Sequence, residues 1–534
     1  MSADFITWWK KWRLGFALAG LMIAIELVAL GLCVTLAPNG MRWLGGQTFN
    51  APDYPIYLNY LAQNRTFPIV YNLYNEQQKI GRFEPFWSTA GLLVRTGLSP
   101  IMVHEILRWI ATLILGLTIF STAKSLVADE KRAWLASLII ASGMGSGWVH
   151  AIISNLFYGK ILITIAPDLG TEFSLIPVIF GGAHMILSVS LQFLIARWTW
   201  LLLSEGQKKY FIPDLAAVFF LTSFHPYYIP LTGLIALICY FCGWSMSERL
   251  KRGAWLFALC AAMLPSLAYN YWLTQAEPAL NRLYYQINSL RLDPFNLWIM
   301  ALLFIFIASF FIIKDRVPQN YYWSKTPLWA VIWLASAVVC MILPFPWTTK
   351  FTQGLLPVLA ILTLPFWLWL MTDLIPKGNI IPAISRFLIG LWLAGPLIYF
   401  LYFFALMPNA MTRNLFYQKT QIFAAWDFTS HDMSQNDLIV TTAMETNLWT
   451  PLYTLHKVWI GHAHATPDYY NRQTEWLTWF WSNDATEYNA FLDRNNIRYI
   501  LTTDAEKTNK AARLLNNDWQ KAFVSDDVAV WKKI

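Results

Sequence analysis

A chain of 534 residues with 57% hydrophobic and only 13% charged side chains excludes a soluble globular domain and reads as a polytopic α-helical membrane protein. Its formal charge of +8 does not point to nucleic acid, because Lys and Arg in such a chain sort first into cytoplasmic loops. All five cysteines lie in apolar spans and say nothing of redox compartment; Cys239-x-x-Cys242, with no second pair, reads as helix-packing residues.

The first span covers residues 14–37, behind the aromatic and basic flank Trp8 to Arg13. It is too long for a signal-peptide core and lacks a small-residue cleavage pattern, so it is read as retained. Further spans are expected near 100–123, 132–150, 176–203, 211–225, 228–246, 253–272, 295–313, 327–345, 352–373 and 381–406, about eleven in all. If Lys10, Lys11 and Arg13 face the cytoplasm, the other short loops that fall inside are also basic. Residues 38–99, 148–175 and 273–294 and everything after 407 then lie outside. The lack of a targeting extension favours a bacterial inner membrane with a periplasmic C-terminus.

The first outer loop opens with Asn50-Ala51-Pro52-Asp53-Tyr54-Pro55-Ile56-Tyr57-Leu58. The two prolines restrict the backbone around Asp53 and aim its carboxylate, although Pro-Asp is also ordinary turn chemistry. Phe86 to Leu98 reads as an amphipathic helix on the interface, closed by Gly97 and Ser99-Pro100. Asp53 is then expected just above the bilayer, near lipid headgroups.

Gly143 to Trp148 follows a membrane helix rather than a strand, and no Lys-Ser/Thr follows it; it reads as close packing or an irregular helix end, not a nucleotide loop. The second outer loop supplies Asp168 and Glu172. On a helix they share a face, in a turn Gly170 lets them converge, and in a solvated loop they have no special role. His184, inside the fourth span after Gly181-Gly182, needs a polar partner. His225-Pro226, on the outer side between spans five and six, is either a capping turn or a site residue. Lys350 is the only cation in its outer turn, either set for a lipid-linked phosphate or snorkelling at the interface.

After residue 407 hydrophobicity falls. Strands are expected at Asp437–Ala443, Tyr453–Gly461, Ile497–Thr503 and Val528–Lys532, with helices near 468–482, 485–495 and 504–516. These make a small α/β domain of about 125 residues, enough for its own core. Its Gly461-His462-Ala463-His464 lacks a third ligand nearby and reads as a strand-end turn rather than a metal site.

Together these features resemble the GT-C superfamily of membrane glycosyltransferases, which includes protein O-mannosyltransferases, lipid A aminoarabinose transferases and oligosaccharyltransferases. The resemblance is carried by Asp53 after span one, Asp168 and Glu172 in the second outer loop, Lys350 in a late outer loop, and an outer C-terminal domain. Tyr54-Pro55-Ile56-Tyr57 and Gly97-Leu98-Ser99-Pro100 are also similar to bacterial members. The resemblance implies a GT-C-like transmembrane catalytic module over residues 1–406 and an extracytoplasmic α/β domain over 407–534. It also implies Asp53 as base, a secondary acidic role for Asp168 or Glu172, and donor-phosphate binding by Lys350; beside these, His225 is expected at the donor phosphate and Tyr54, Tyr57 and His184 in the substrate cavity. No signature of the oligosaccharyltransferase C-terminal domain is present, which argues against peptide-sequon glycosylation.

The chemistry fits that layout. A polyprenyl-phosphate sugar donor expels a phosphate that leaves without protonation, so one base for the acceptor hydroxyl and one cation for the leaving group suffice. Attack opposite the leaving group inverts the anomeric centre. The transferred group is a hexosyl or pentosyl unit, mannosyltransferase-like in kind, and the acceptor an envelope glycan, lipid or protein. An oxygen-rich site also suits a divalent cation, Mg or Mn. The rival is a transporter or lipid flippase, which favours internal repeats and ionisable residues at mid-membrane; no repeat is seen, but His184 speaks for it. A third reading is an idle scaffold of envelope assembly, in which Asp53 is dispensable.

Overall fold

The computed structural model describes residues 3–45, 52–65, 68–78, 80–143, 148, 156, 175–242, 246–277, 317–323, 327–345, 347–374, 380–409 and 413–534. The described helices used below are α1 (Ala3–Thr35), α2 (Tyr54–Gln63), α3 (Pro85–Val94), α4 (Pro100–Leu126), α5 (Glu130–Ser142), α6 (Leu175–Ile179), α7 (Ala183–Thr199), α8 (Phe211–Phe224), α9 (Ile229–Phe241), α10 (Met246–Ala276), α11 (Leu328–Ile342), α12 (Leu355–Leu362), α13 (Leu364–Trp369), α14 (Ile380–Leu406), α15 (Thr420–Asp432), α16 (Met444–Thr454), α17 (Tyr469–Trp481), α18 (Ala485–Arg494) and α19 (Ala505–Leu514). The chain divides into two units: Met1–Ala29, Glu105–Trp272 and Asn288–Phe403 form one, and Leu30–His104, Leu273–Ile287 and Phe404–Ile534 the other.

The first unit is helical. Among the described residues four helices are long and apolar enough to cross a membrane, Ile6–Thr35, Pro100–Leu126, Ala183–Ser204 and Leu250–Ala276, and an apolar helix pair, Lys350–Leu362 and Leu364–Thr372, is bent by 54° at its break, as in a broken span or a re-entrant loop. That bend has a local cause. Pro365 stands in the first turn of α13, where its missing N–H does no harm, but it cannot continue α12. The predicted span 176–203 is broken too: α6 ends at Ile179, Gly182 is extended, and α7 starts at Ala183. His184 therefore sits in the first turn of α7 rather than inside a continuous span, because Gly181-Gly182 interrupts the helix.

α1 and α4 meet at small residues: a β-carbon on Gly116 would lie 2.7 Å from Ala19 Cα, so only glycine permits this approach. The same pair of helices buries a charged network. Arg108 reaches Glu26 (3.1 Å) and Glu105 (2.5 Å), and Thr112 donates to Glu26 (2.5 Å). Groups without access to water must satisfy one another in this way.

The second unit carries the only five-stranded sheet among the described residues, in the order β4 (Lys457–Val458), β3 (Leu438–Thr441), β5 (Tyr499–Thr502), β7 (Val528–Lys533), β6 (Trp519–Ser525). β3 is parallel to β4 and β5, whereas β7 is antiparallel to β5 and β6. β3 and β5 are buried at every position, as strands covered on both faces must be. Trp459, Trp476, Trp479, Phe491 and Trp531 fill the core.

The segment between α1 and α4 folds into this unit. β1 (Met41–Trp43) pairs antiparallel with β2 (Tyr417–Lys419). Leu73 accepts from the Val458 N–H (3.0 Å), Asn72 Nδ2 donates to Ala465 O (2.7 Å), and Glu76 takes both guanidinium nitrogens of Arg472 (2.5 and 2.8 Å). The stretch expected to be helical at Phe86–Leu98 forms α3 over Pro85–Val94 and ends four residues early. The expected strands at 437–443, 497–503 and 528–532 and the three helices are present; the 453–461 stretch keeps only β4, because α16 occupies its beginning.

Candidate functional site

Asp53 stands at the N-cap of α2, with Pro55 in the first turn. Over its described residues, 52–58, the stretch expected as a loop is thus a helix start: a proline there is pre-set for helical φ and loses no hydrogen bond. The Asp53 carbonyl opens the helix by accepting from Ile56 N (3.1 Å), but its carboxylate makes no capping bond. Instead Oδ1 lies 2.8 Å from Nε2 of His462. The His462 side chain is 1% exposed and that of Asp53 24%, so an anchored imidazole holds a reachable carboxylate.

His462 lies in the turn between β4 and α17. Its carbonyl accepts from the N–H groups of Ala465 (3.0 Å) and Thr466 (2.8 Å), and Thr466 Oγ1 accepts from Gly461 N (3.2 Å). Tyr74, buried beside it, donates to Leu448 O (2.6 Å). Burial pushes the Tyr74 hydroxyl well above its ordinary pKa, which keeps it a neutral donor.

Tyr54 and Tyr57 share the α2 turn with Asp53. Tyr54 is fully buried, its hydroxyl 3.0 Å from His104 Nδ1. Tyr57 stacks on Trp87 (5.1 Å), and Trp87 on His104 (5.9 Å). This aromatic stack makes the floor on which α2, and with it Asp53, rests.

The other predicted residues belong to the first unit. His184 and His225 are both buried, with ring centroids 5.1 Å apart. Tyr227 Oη sits 2.5 Å from His225 Nδ1. The turn Pro226–Tyr228 packs on the turn Thr348–Thr352 that carries Lys350, and Lys350 acts electrostatically on His225. Gln353 ties that turn to α7 by accepting from Ser188 Oγ (3.2 Å). The fold thus gathers His184, His225 and Lys350 in one unit, and Asp53, Tyr54 and Tyr57 in the other. Asp168 and Glu172 lie outside the described residues.

The contact of His462 with Asp53 is not legible in the sequence. The turn itself was read correctly, but its contact lies 409 positions away from Asp53, beyond any local pattern. The available signal was Gly461 beside a histidine pair at a strand end. Among the described residues no group of three or more His, Cys, Asp or Glu is placed to hold a metal ion.

No protein-family model matches the chain, and neither does any curated protein. Solved structures do. ArnT from Cupriavidus metallidurans in the apo state superposes with a TM-score of 0.51 at 12% identity, over 97% of this chain and 98% of that one. The same protein bound to undecaprenyl phosphate gives 0.51 at 11% identity, over 96% and 98%. The archaeal oligosaccharyltransferase AglB from Archaeoglobus fulgidus, in complex with an inhibitory peptide and a dolichol-phosphate, gives 0.45 at 12% identity, over 93% and 70%.

Proposed function

We propose that this chain, whose fold is that of the GT-C membrane glycosyltransferases, moves a hexosyl or pentosyl group from a polyprenyl-phosphate donor to an envelope glycan, lipid or protein. The observation that carries the reading is the Asp53 carboxylate: it starts a helix without capping it, is held by a buried imidazole, and stays reachable. A carboxylate so placed suits a general base.

In the proposed reaction Asp53 accepts the proton of the acceptor hydroxyl as that oxygen bonds to the anomeric carbon. The bond from that carbon to the phosphate oxygen breaks, its electron pair leaves with the polyprenyl phosphate, and the anomeric centre inverts. Lys350, with His225 beside it in the first unit, is the proposed ligand of the departing phosphate, where a fixed cation stabilises developing charge. Tyr54, Tyr57 and His184 are the proposed cavity residues, and Asp168 and Glu172 the acids that orient the acceptor or a divalent cation, Mg or Mn. ArnT, of the same fold, has been seen with undecaprenyl phosphate bound, which supports a donor of that class.

The proposed topology has about eleven spans, a cytoplasmic N-terminus and a periplasmic C-terminus in a bacterial inner membrane. Residues 1–406 form the proposed catalytic module. Residues 407–534 form the proposed acceptor-recognition domain, favoured by a cleft lined by Trp479, Phe480, Trp481, Glu506, Lys507 and Lys510. Aromatic faces with a few polar groups suit a saccharide.

Donor binding tests the assignment of roles. Undecaprenyl phosphate is titrated into the full chain in nanodiscs. Lys350→Ala is expected to weaken binding about tenfold, the scale of one charge-assisted hydrogen bond, and Asp53→Asn to leave it unchanged. Equal binding by Lys350→Ala and wild type would remove Lys350 from the donor site.

A further inference from the structure

We infer that His462 is the positioning residue of Asp53, holding the carboxylate through a proton that the fold fixes on Nε2. The inference rests on the reading of Asp53 as base. The backbone N–H of His464 donates to Nδ1 of His462 at 3.0 Å. A nitrogen that accepts carries no hydrogen, so the ring is neutral and its one proton sits on Nε2. Nε2 is the atom 2.8 Å from Asp53 Oδ1. His462 therefore donates, and Asp53 accepts.

Two consequences follow. A neutral donor orients the carboxylate without cancelling its charge, so Asp53 keeps the charge it needs to take a proton. His462 cannot receive that proton in turn, because Nε2 already carries a hydrogen and the lone pair of Nδ1 is held by the backbone. The pair is an oriented base and not a relay.

The anchoring of the imidazole supports the same role. The His462 carbonyl takes two backbone N–H groups, and Ala465 O takes the Asn72 side chain at 2.7 Å. Asn72 belongs to the same outer loop as Asp53, so the loop and the turn that holds its carboxylate are tied at two points. Gly461 leaves no slack either, since a β-carbon there would lie 2.5 Å from the Tyr74 ring. An orienting group is useful only if it is itself held, because small displacements of a reacting group cost rate steeply.

The test joins a spectrum to kinetics on the full chain in nanodiscs. With 15N-labelled histidine, His462 is assigned by the signal that His462→Gln removes. It is expected to show a protonated Nε2 and a bare Nδ1, and Asp53→Asn is expected to shift the Nε2 resonance. An imidazolium, or a proton on Nδ1, overturns the inference whatever the activity. Kinetics use undecaprenyl-phosphate-linked hexoses and pentoses with an envelope extract as acceptor. His462→Ala is expected to lower kcat about 100-fold with the donor KM unchanged. His462→Gln, which can carry an N–H to the same place, is expected to restore most of that loss. Equal loss in both variants, with native thermal stability, would mean a role other than donation. Full transfer by His462→Ala beside an inactive Asp53→Asn sinks this inference alone. Full transfer by Asp53→Asn sinks the base assignment beneath it.

Discussion

Gly461 shows how tightly single residues are fitted around the candidate base. A β-carbon there would stand 2.5 Å from the ring of Tyr74 and 3.3 Å from the Asn447 carbonyl oxygen, and Tyr74 is buried with its hydroxyl bonded to Leu448 O. Gly461→Ala is expected to cost about 1–3 kcal/mol, the usual penalty for overpacking. In a Tyr74→Ala background the same change is expected to cost less, because only the 3.3 Å approach to the Asn447 oxygen remains. Thermal unfolding of the four proteins checks this. A second residue-scale effect is electrostatic. Burial raises the Asp432 carboxyl, but hydrogen bonds from Lys532 (2.9 Å) and Tyr499 (2.8 Å) outweigh it and hold the pKa below the ordinary range. Burial and the Asp432 bond push Tyr499 up to about 12. A carboxyl depressed in the fold adds stability that is fully present above its unfolded pKa of about 3.9 and is lost as pH falls through the folded value. The difference in melting temperature between wild type and Asp432→Asn is therefore expected at neutral pH and to shrink on acidification below about pH 4.

Among the elements, α1 and α4 depend on the Glu26–Arg108–Glu105 network. Arg108→Met leaves two buried carboxylates without their cation, and breaking such a pair from one side is expected to cost about 3–5 kcal/mol. Replacing all three residues by apolar ones of similar size is expected to recover most of it, as read from denaturation in detergent. The long helices were legible because uninterrupted apolar runs of span length leave few alternatives. Their breaks were less so: Gly181-Gly182 and Pro365 were visible in the sequence, yet the hydrophobicity on both sides hid the interruption. α2 was missed because Pro52 and Pro55 suggest a loop, although a proline in a first turn starts helices. α16 was missed because Pro451 lies inside it, and tertiary burial overrode that local signal. β6 was missed because three of its seven residues are exposed and no long apolar run marks it. Of the candidate site, Asp53 could be read from its flanking prolines, while the Asp53–His462 bond depends on how the segment between α1 and α4 folds onto the C-terminal sheet.

Taken whole, the second unit holds the segment between α1 and α4 against the C-terminal residues, joined by the β1–β2 pair, the Asn72–Ala465 bond and the Glu76–Arg472 fork. Arg472→Ala is expected to loosen residues 68–78, and hydrogen exchange in that loop should rise while the exchange of β3 and β5 stays slow. If the C-terminal domain reads the acceptor, Trp481, 68% exposed at the end of α17, belongs to that surface. Trp481→Ala is then expected to raise the acceptor KM severalfold at unchanged kcat, the signature of lost uniform binding. The most direct test of the account is sugar transfer itself. Polyprenyl-phosphate sugars labelled in the sugar are offered to wild type and Asp53→Asn at equal expression, with envelope lipids and glycans as acceptors, and labelled product is counted. The account predicts transfer from at least one donor by wild type and a fall of about 100-fold or more in the variant, the scale of losing a general base. Equal transfer by both proteins, or none by wild type from any donor, would contradict it.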